Sequence, residues 1–269
     1  MEEMKHWTNA FCEANGIAIH YLRTGGSRPP VVLLHGLAGS AACWSTLARA
    51  LAAEFDVVMP DARGHGDSSA PLHGYRYADH ARDVVGLMQA LGLAAPVLLG
   101  HSMGGLTAAV VAGQAGAPVR AVVLADPTFL SPQRQREVYE SDAVAQHRRL
   151  LSLDRADVLA EARLRHPQRS PELVELIAVA RLKTRLRAFD VLTPPYPEYH
   201  RLVSAILVPI LLVIGDTGVV SLETARELQH LNPRLRVEQI QGAGHGLPYD
   251  QPERFEAAVR SFLRSLAAA

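Results

Sequence analysis

One nine-residue stretch, Val97-Leu98-Leu99-Gly100-His101-Ser102-Met103-Gly104-Gly105, constrains the fold of this chain more than any other. An apolar run that reads as a buried strand stops at Gly100, and an alanine-rich helical pattern begins just past Ser102. The serine is therefore left on the turn between them. A serine on such a turn adopts a sparsely populated backbone conformation, and the residues two positions either side must lack side chains because strand and helix pass close together. Gly100 and Gly104 meet that need. The turn lifts the hydroxyl above the carboxyl edge of a sheet, where the Met103 amide at the helix start points at any oxyanion formed beside it. A serine hydroxyl is nearly inert at neutral pH, so chemistry here requires a base and a group that orients the base.

The rest of the chain supplies the sheet. Gly16 to Arg23 reads as an antiparallel starting strand, and Pro30-Val31-Val32-Leu33-Leu34 is an all-apolar run of the kind buried on both faces of a parallel sheet. A helix is expected over 41–53, a strand at Val57 to Pro60, a helix over 77–91 and a strand at Val119 to Leu124. After 202 the alternation returns, with a strand at Ile206 to Ile214, a helix over 222–231, a strand at Leu235 to Ile240 and an amphipathic helix over 252–266. Strand and helix in this rhythm predict an α/β fold: a mostly parallel central sheet with helices on both faces and active-site residues at the strands' carboxyl ends. Between 128 and 202 the rhythm fails. That stretch is rich in charge and helix formers, with helices expected over 133–151, 155–165 and 171–188 and then a Pro/Tyr segment from Thr193 to Tyr199. The division is thus a core of residues 1–127 and 203–269 and a helical cap of residues 128–202 lying over the site. No internal repeat or low-complexity segment interrupts it.

His245 is the best base. It lies in the loop Gly242-Ala243-Gly244-His245-Gly246 after the last expected strand, at the same sheet edge as Ser102, and its ordinary pKa lies near neutrality. His101 reads as packing beside the nucleophile, His35 and His65 as lining of the cleft mouth, and His147, His166 and His200 as solvated cap residues. Two carboxylates stand at strand ends in the order serine, acid, histidine: Asp126 and Asp216. Either would hold the imidazole tautomer, and the other would cap a local turn. A second oxyanion donor has to come from another loop at that edge. His35-Gly36-Leu37 follows an earlier strand, which makes the amide of Leu37 the candidate and that of Gly36 the alternate.

Composition removes other classes. The 27 basic and 27 acidic residues cancel, which gives no electrostatic case for nucleic acid or an anionic membrane. Two cysteines, Cys12 and Cys43, suit neither a disulfide framework nor a metal site and read as small buried hydrophobes. No glycine-rich phosphate loop follows the first strand and no clustered metal-ligand set appears, so no cofactor and no metal is expected. Met1 to His6 lacks the apolar core of a leader peptide, and no run of about twenty apolar residues occurs. The expectation is a cytoplasmic protein acting on a small molecule, with its oligomeric state left open.

These residues resemble the α/β-hydrolase family with an inserted helical cap. The likeness spans His35-Gly36, the loop Asp61-Ala62-Arg63-Gly64-His65-Gly66-Asp67-Ser68, Gly100-His101-Ser102-Met103-Gly104 and Gly242-Ala243-Gly244-His245, in that order. It implies Ser102 as nucleophile, His245 as base, and the Met103 and Leu37 amides as oxyanion donors. The acid departs from the usual pattern. Most members place it three residues after a glycine ending the penultimate strand, and here that position, after Gly215, is Gly218. Others, including zearalenone-lactone hydrolases and some haloalkane dehalogenases, place it one strand earlier, where Asp126 stands, and the resemblance leans to that residue. Epoxide hydrolases and haloalkane dehalogenases of this shape use an aspartate nucleophile, so serine points instead to acyl transfer to water: hydrolysis of an ester or lactone. Carbon–carbon bond hydrolysis, a cofactor-free lyase reaction and a catalytically silent receptor are the alternatives. The cap shows no basic cluster in its sequence, and Phe129, Tyr139, Phe189, Tyr196 and Tyr199 are its candidates for a pocket taking an uncharged or weakly charged substrate.

Overall fold

Outside the stretch between 126 and 209, apolar runs recur along the chain at intervals that leave room for one helix, and each becomes a strand of a single sheet. The computed structural model describes residues 7–266; Met1 to His6, read above for a leader, lie outside them. The chain opens with β1 (Thr8–Ala14) and β2 (Ile17–Arg23), an antiparallel hairpin. β3 (Pro30–Leu34) leads through a 3-10 turn at Ala41–Trp44 into α1 (Ser45–Leu51), β4 (Asp56–Pro60), α2 (Tyr77–Ala90), β5 (Val97–His101), α3 (Met103–Ala112) and β6 (Ala121–Ala125). Helices α4 (Pro132–Tyr139), α5 (Ala143–Leu150), α6 (Arg155–Arg165), α7 (Pro171–Lys183) and α8 (Tyr199–Ala205) are inserted before β7 (Ile210–Thr217). The chain closes with α9 (Leu222–Leu231), β8 (Leu235–Gly244), α10 (Leu247–Asp250) and α11 (Pro252–Ser265). The strands associate in the order β1-β2-β4-β3-β5-β6-β7-β8, antiparallel only where β2 meets β1 and β4.

Side chains alternate across this sheet, and both faces are covered. Val32, Leu34, Val58, Leu98, Val122, Leu124 and Leu212 enter the apolar layer beneath α2, α3 and α9. Their neighbours Val31, Leu33, Val57, Leu99, Val123 and Val213 enter the layer beneath α1 and α11, where Trp44 and Phe255 stack with ring centroids 6.3 Å apart. Burial on both faces is why these strands read as unbroken apolar runs. The inserted helices have a small core of their own: Val158 and Ala162, four apart on α6, face Val174 and Ala178, four apart on α7.

Four expectations change. β1 leaves no signature in the sequence, because it is an edge strand paired only to β2 and its alternating, mostly exposed side chains form no apolar run. The single helix expected over 133–151 is α4 and α5, separated at Glu140 to Asp142. The helix expected over 171–188 ends at Lys183, where the Thr184 hydroxyl donates back to the Ala180 carbonyl and a 3-10 segment, Leu186–Leu192, follows. β7 starts at Ile210 rather than Ile206, past Pro209, which has no amide for a ladder. Of the cysteines, Cys43 is buried and Cys12, on the edge strand, only partly so; both are free. No helix among the described residues is long and apolar enough to cross a membrane.

Candidate active site

β5 delivers Ser102 to the sheet edge, with φ 55° and ψ −118°, a conformation that non-glycine residues adopt only when their surroundings impose it. The imposition comes from the crossing of β5 and α3. A Cβ on Gly100 would collide with the Gly104 carbonyl, and one on Gly104 with the Leu34 carbonyl. On the far side, a Cβ on Gly36 would lie 3.1 Å from the Ser102 Cβ. Glycine at these three positions lets the β3 loop, β5 and α3 converge on one hydroxyl.

His245, past the end of β8, directs Nε2 to the Ser102 hydroxyl at 2.9 Å and donates from Nδ1 to Asp126 Oδ2 at 2.6 Å. Asp126 directly follows β6 at φ 40°, and its carboxylate is fully buried. That burial is made tolerable by two further donors: the Val219 amide reaches Oδ2 at 2.8 Å and the Val220 amide reaches Oδ1 at 2.9 Å. Asp216, near the end of β7, is exposed and turned to another task, accepting from Gln239 Nε2 and the Gly242 amide of the neighbouring parallel strand β8. Of the two acids, the structure brings only Asp126 to the imidazole. Gly218 accounts for the displaced acid. A Cβ there would lie 2.6 and 2.7 Å from the two Asp126 carboxylate oxygens, so an acid on the β7 loop and an acid at 126 compete for one volume.

The loop after β3 is pinned by two buried histidines. His35 donates from Nδ1 to the Gly36 carbonyl and accepts the Ala62 amide at Nε2; His65 donates from Nδ1 to the Arg63 carbonyl and accepts the Ala38 amide at Nε2. Both roles require the neutral ring. Burial supplies it, lowering the pKa of His35 and, with His35 close by, pushing that of His65 down to about 3. So held, the loop leaves the amides of Leu37 and Met103 without an internal acceptor among the described residues, while Leu37 and Ser102 share one cleft. These histidines do not line the mouth as expected from sequence; they fix the loop that does. His101 is packing, and more: burial pushes it down to about 3, and its Nε2 donates to the His245 carbonyl at 2.7 Å, tying the histidine loop to the serine turn.

The cleft over Ser102 and His245 has a volume of about 510 Å³, in the range of small-molecule sites. Its other wall belongs to the inserted helices. Phe189 lines it, but Phe129 and Tyr196 lie in the main core, Tyr199 stacks on Phe129, and Tyr139 is exposed. His147, read as solvated, is buried and donates from Nε2 to the Thr184 carbonyl, whereas His200 sits at the surface beside Glu198. The expectation of a cap without a basic cluster is overturned: Arg149 of α5, Arg165 of α6 and Arg181 of α7 are far apart in sequence and meet on this wall. No sequence window shows them together, because the packing of three helices assembles them.

Among the described residues, one group of potential metal ligands also comes together, His20, Asp61 and Asp67. Asp61 there accepts from His20 Nδ1 and the amides of Ala41 and Asp67, which makes it the anchor of the two loops it joins.

Residues 29–252 match the family model described as alpha/beta hydrolase fold. Among curated proteins, N-formylmaleamate deformylase of Pseudomonas putida is 32% identical over 258 residues, covering 93% of this chain and 94% of the relative. The sn-1-specific diacylglycerol lipase ABHD11 of Mus musculus is 31% identical over 253 residues, 87% of this chain and 81% of the relative. Among solved structures, the esterase RhEst1 from Rhodococcus sp. ECU1013 superposes with a TM-score of 0.77 at 26% identity, covering 97% of this chain and 99% of that one. With its sheet order, its serine turn and these relatives in agreement, the chain belongs to the alpha/beta hydrolase family and shares the hydrolytic character of its relatives.

Proposed function

We propose that the protein is a serine hydrolase that cleaves a carboxylic ester or lactone through an acyl-enzyme. The Ser102 hydroxyl attacks the carbonyl carbon while His245 Nε2 takes its proton. Asp126 holds the Nδ1–H tautomer and stabilises the imidazolium that forms. The amides of Leu37 and Met103 bind the oxyanion, each worth about a hundred- to a thousandfold in rate. The imidazolium then protonates the departing alcohol, and a water activated by the same His245 releases the acid and frees Ser102. Residues 128–202 act as the cap over the cleft, on a core of residues 1–127 and 203–269.

The observation that carries this reading is the unbroken line from Ser102 Oγ through His245 to a fully buried, doubly amide-bound Asp126. A second reading, hydrolysis of an N-acyl bond on the same residues, is favoured by the 32% identity to a protein named for deformylation. Turnover of p-nitrophenyl esters, aliphatic and macrocyclic lactones and N-formyl amides by the wild-type protein ranks the two. Ser102→Ala abolishes turnover and blocks labelling by a fluorophosphonate; retention of esterase activity by Ser102→Ala refutes the mechanism.

A further inference from the structure

The cleft above Ser102 has one charged wall that hydrolysis of a neutral ester leaves without a task. Arg149, Arg165 and Arg181 reach it from three helices. Arg149 is engaged, since its guanidinium pairs with Glu161 at 2.7 Å. Arg181 is half-buried, and among the described residues neither it nor Arg165 forms an ion pair with any carboxylate. A half-buried guanidinium beside other positive charges is unfavourable unless an anion joins it. The physical trace of that cost is the Arg181 pKa, which burial and the neighbouring Arg165 and Arg169 lower, with Glu161 offsetting part of the effect. A fold that keeps such a group on the wall facing its nucleophile has a charge to satisfy from outside.

We propose that Arg181, with Arg165 beside it, binds a carboxylate carried by the substrate, so that the preferred substrates are small acyl compounds bearing one free carboxylate. This assignment rests on the proposed role of Ser102 for the position of the reacting end. A carboxylate suits the wall better than a phosphate dianion: Glu161 removes part of the positive charge, and the planar guanidinium fork matches a planar monoanion in two parallel hydrogen bonds. The carboxylate end is held on the helical wall, the scissile carbonyl lies over Ser102, and the clamp recruits anionic substrates in preference to neutral ones of the same size.

Calorimetric titration of succinate into the Ser102→Ala protein tests the clamp without any reaction. Succinate is expected to bind and neutral succinamide to bind at least about tenfold more weakly, and Arg181→Gln in the same background is expected to weaken succinate by about ten- to a hundredfold. Arg181→Lys, which keeps the charge and loses the fork, falls between. Arg165→Gln, at an exposed position, weakens succinate in the same direction and covers the case of an Arg181 variant that does not fold. Absence of succinate binding, equal affinity in Arg181→Gln and Arg165→Gln, or tighter binding of inorganic phosphate than of succinate overturns the proposal. In turnover, wild-type kcat/KM for monoethyl succinate exceeds that for diethyl succinate, the difference lying in KM, and the ratio collapses toward one in Arg181→Gln. Ester turnover with no succinate binding refutes the clamp and leaves the ester reading standing; succinate binding with no ester turnover supports the clamp and refutes the ester reading.

Discussion

Asp126→Asn is the substitution that tests the proposed triad most sharply. The carboxylate is fully buried and accepts three hydrogen bonds, from His245 Nδ1 and the Val219 amide on Oδ2 and from the Val220 amide on Oδ1. An asparagine must aim its NH2 at one of those oxygen positions, and in either orientation a buried donor loses its acceptor, at about 1–3 kcal/mol of stability. With the NH2 facing the imidazole, Nδ1 has to accept, the ring proton moves to Nε2, and the atom 2.9 Å from Ser102 Oγ is no longer a base. With the opposite orientation the tautomer survives, but the negative charge that stabilises the imidazolium is gone. Turnover of a p-nitrophenyl ester is expected to fall about a thousand- to ten-thousandfold, which is about 4–5.5 kcal/mol of transition-state stabilisation. The stability loss, read from urea melts, is smaller than that, so the folded protein remains available for assay. Asp216→Asn, at the exposed end of β7, changes the rate by less than about threefold, as surface substitutions of about half a kcal/mol do. The competition for space at Gly218 adds a stricter arm. Gly218 lies outside the left-handed region, so Asp126→Gly combined with Gly218→Asp places a carboxylate in the vacated volume. That double variant is expected to turn over about tenfold faster than Asp126→Asn, short of full recovery because small misplacements cost up to about a hundredfold. Turnover within tenfold of wild type in Asp126→Asn, together with inactivity in Asp216→Asn, refutes the assignment.

Three further outcomes follow from the same geometry. Gly104→Ala drives a methyl into the Leu34 carbonyl, so α3 must shift from the sheet; a loss of about 1–3 kcal/mol by urea midpoint and at least a tenfold loss of turnover are expected, and wild-type behaviour in both contradicts the close crossing. His65 and His101 are held neutral with pKa values of about 3, against about 6.5 in an unfolded chain, so their contribution is complete above about pH 6.5 and lost as pH falls toward 3. Between pH 7 and pH 5 each costs the folded state about 2 kcal/mol, and a urea midpoint that stays constant over that interval excludes the buried neutral rings. His65→Leu removes the acceptor of the Ala38 amide and loosens the loop carrying Leu37; kcat is expected to fall about tenfold with KM little changed, whereas a pure KM effect assigns the loop to substrate binding.

Much of the architecture is legible in the chain. Strands buried on both faces have to be apolar throughout, and a serine between strand and helix has to be flanked by glycine, so the sheet and the Ser102 turn announce themselves locally. His245 is legible for the same reason, standing in a glycine loop after the last strand. The edge strand Thr8–Ala14 escapes notice because it buries little, and the helix breaks in the insertion because they depend on local hydrogen bonds such as that of the Thr184 hydroxyl.

Two matters lie beyond any local pattern. Asp126 and Asp216 stand at equivalent strand ends in the sequence, and only the lateral order of β6, β7 and β8 turns one carboxylate toward the imidazole and the other toward the Gly242 amide. Arg149, Arg165 and Arg181 sit on three successive helices as ordinary surface charges, and the packing of those helices turns them onto one wall of the cleft. A sequence records how each short segment satisfies its own backbone and apolar side chains, and that determined the elements and the Ser102 turn. Which charged groups end within bonding distance depends on contacts between segments far apart along the chain, and only the tertiary structure decided that.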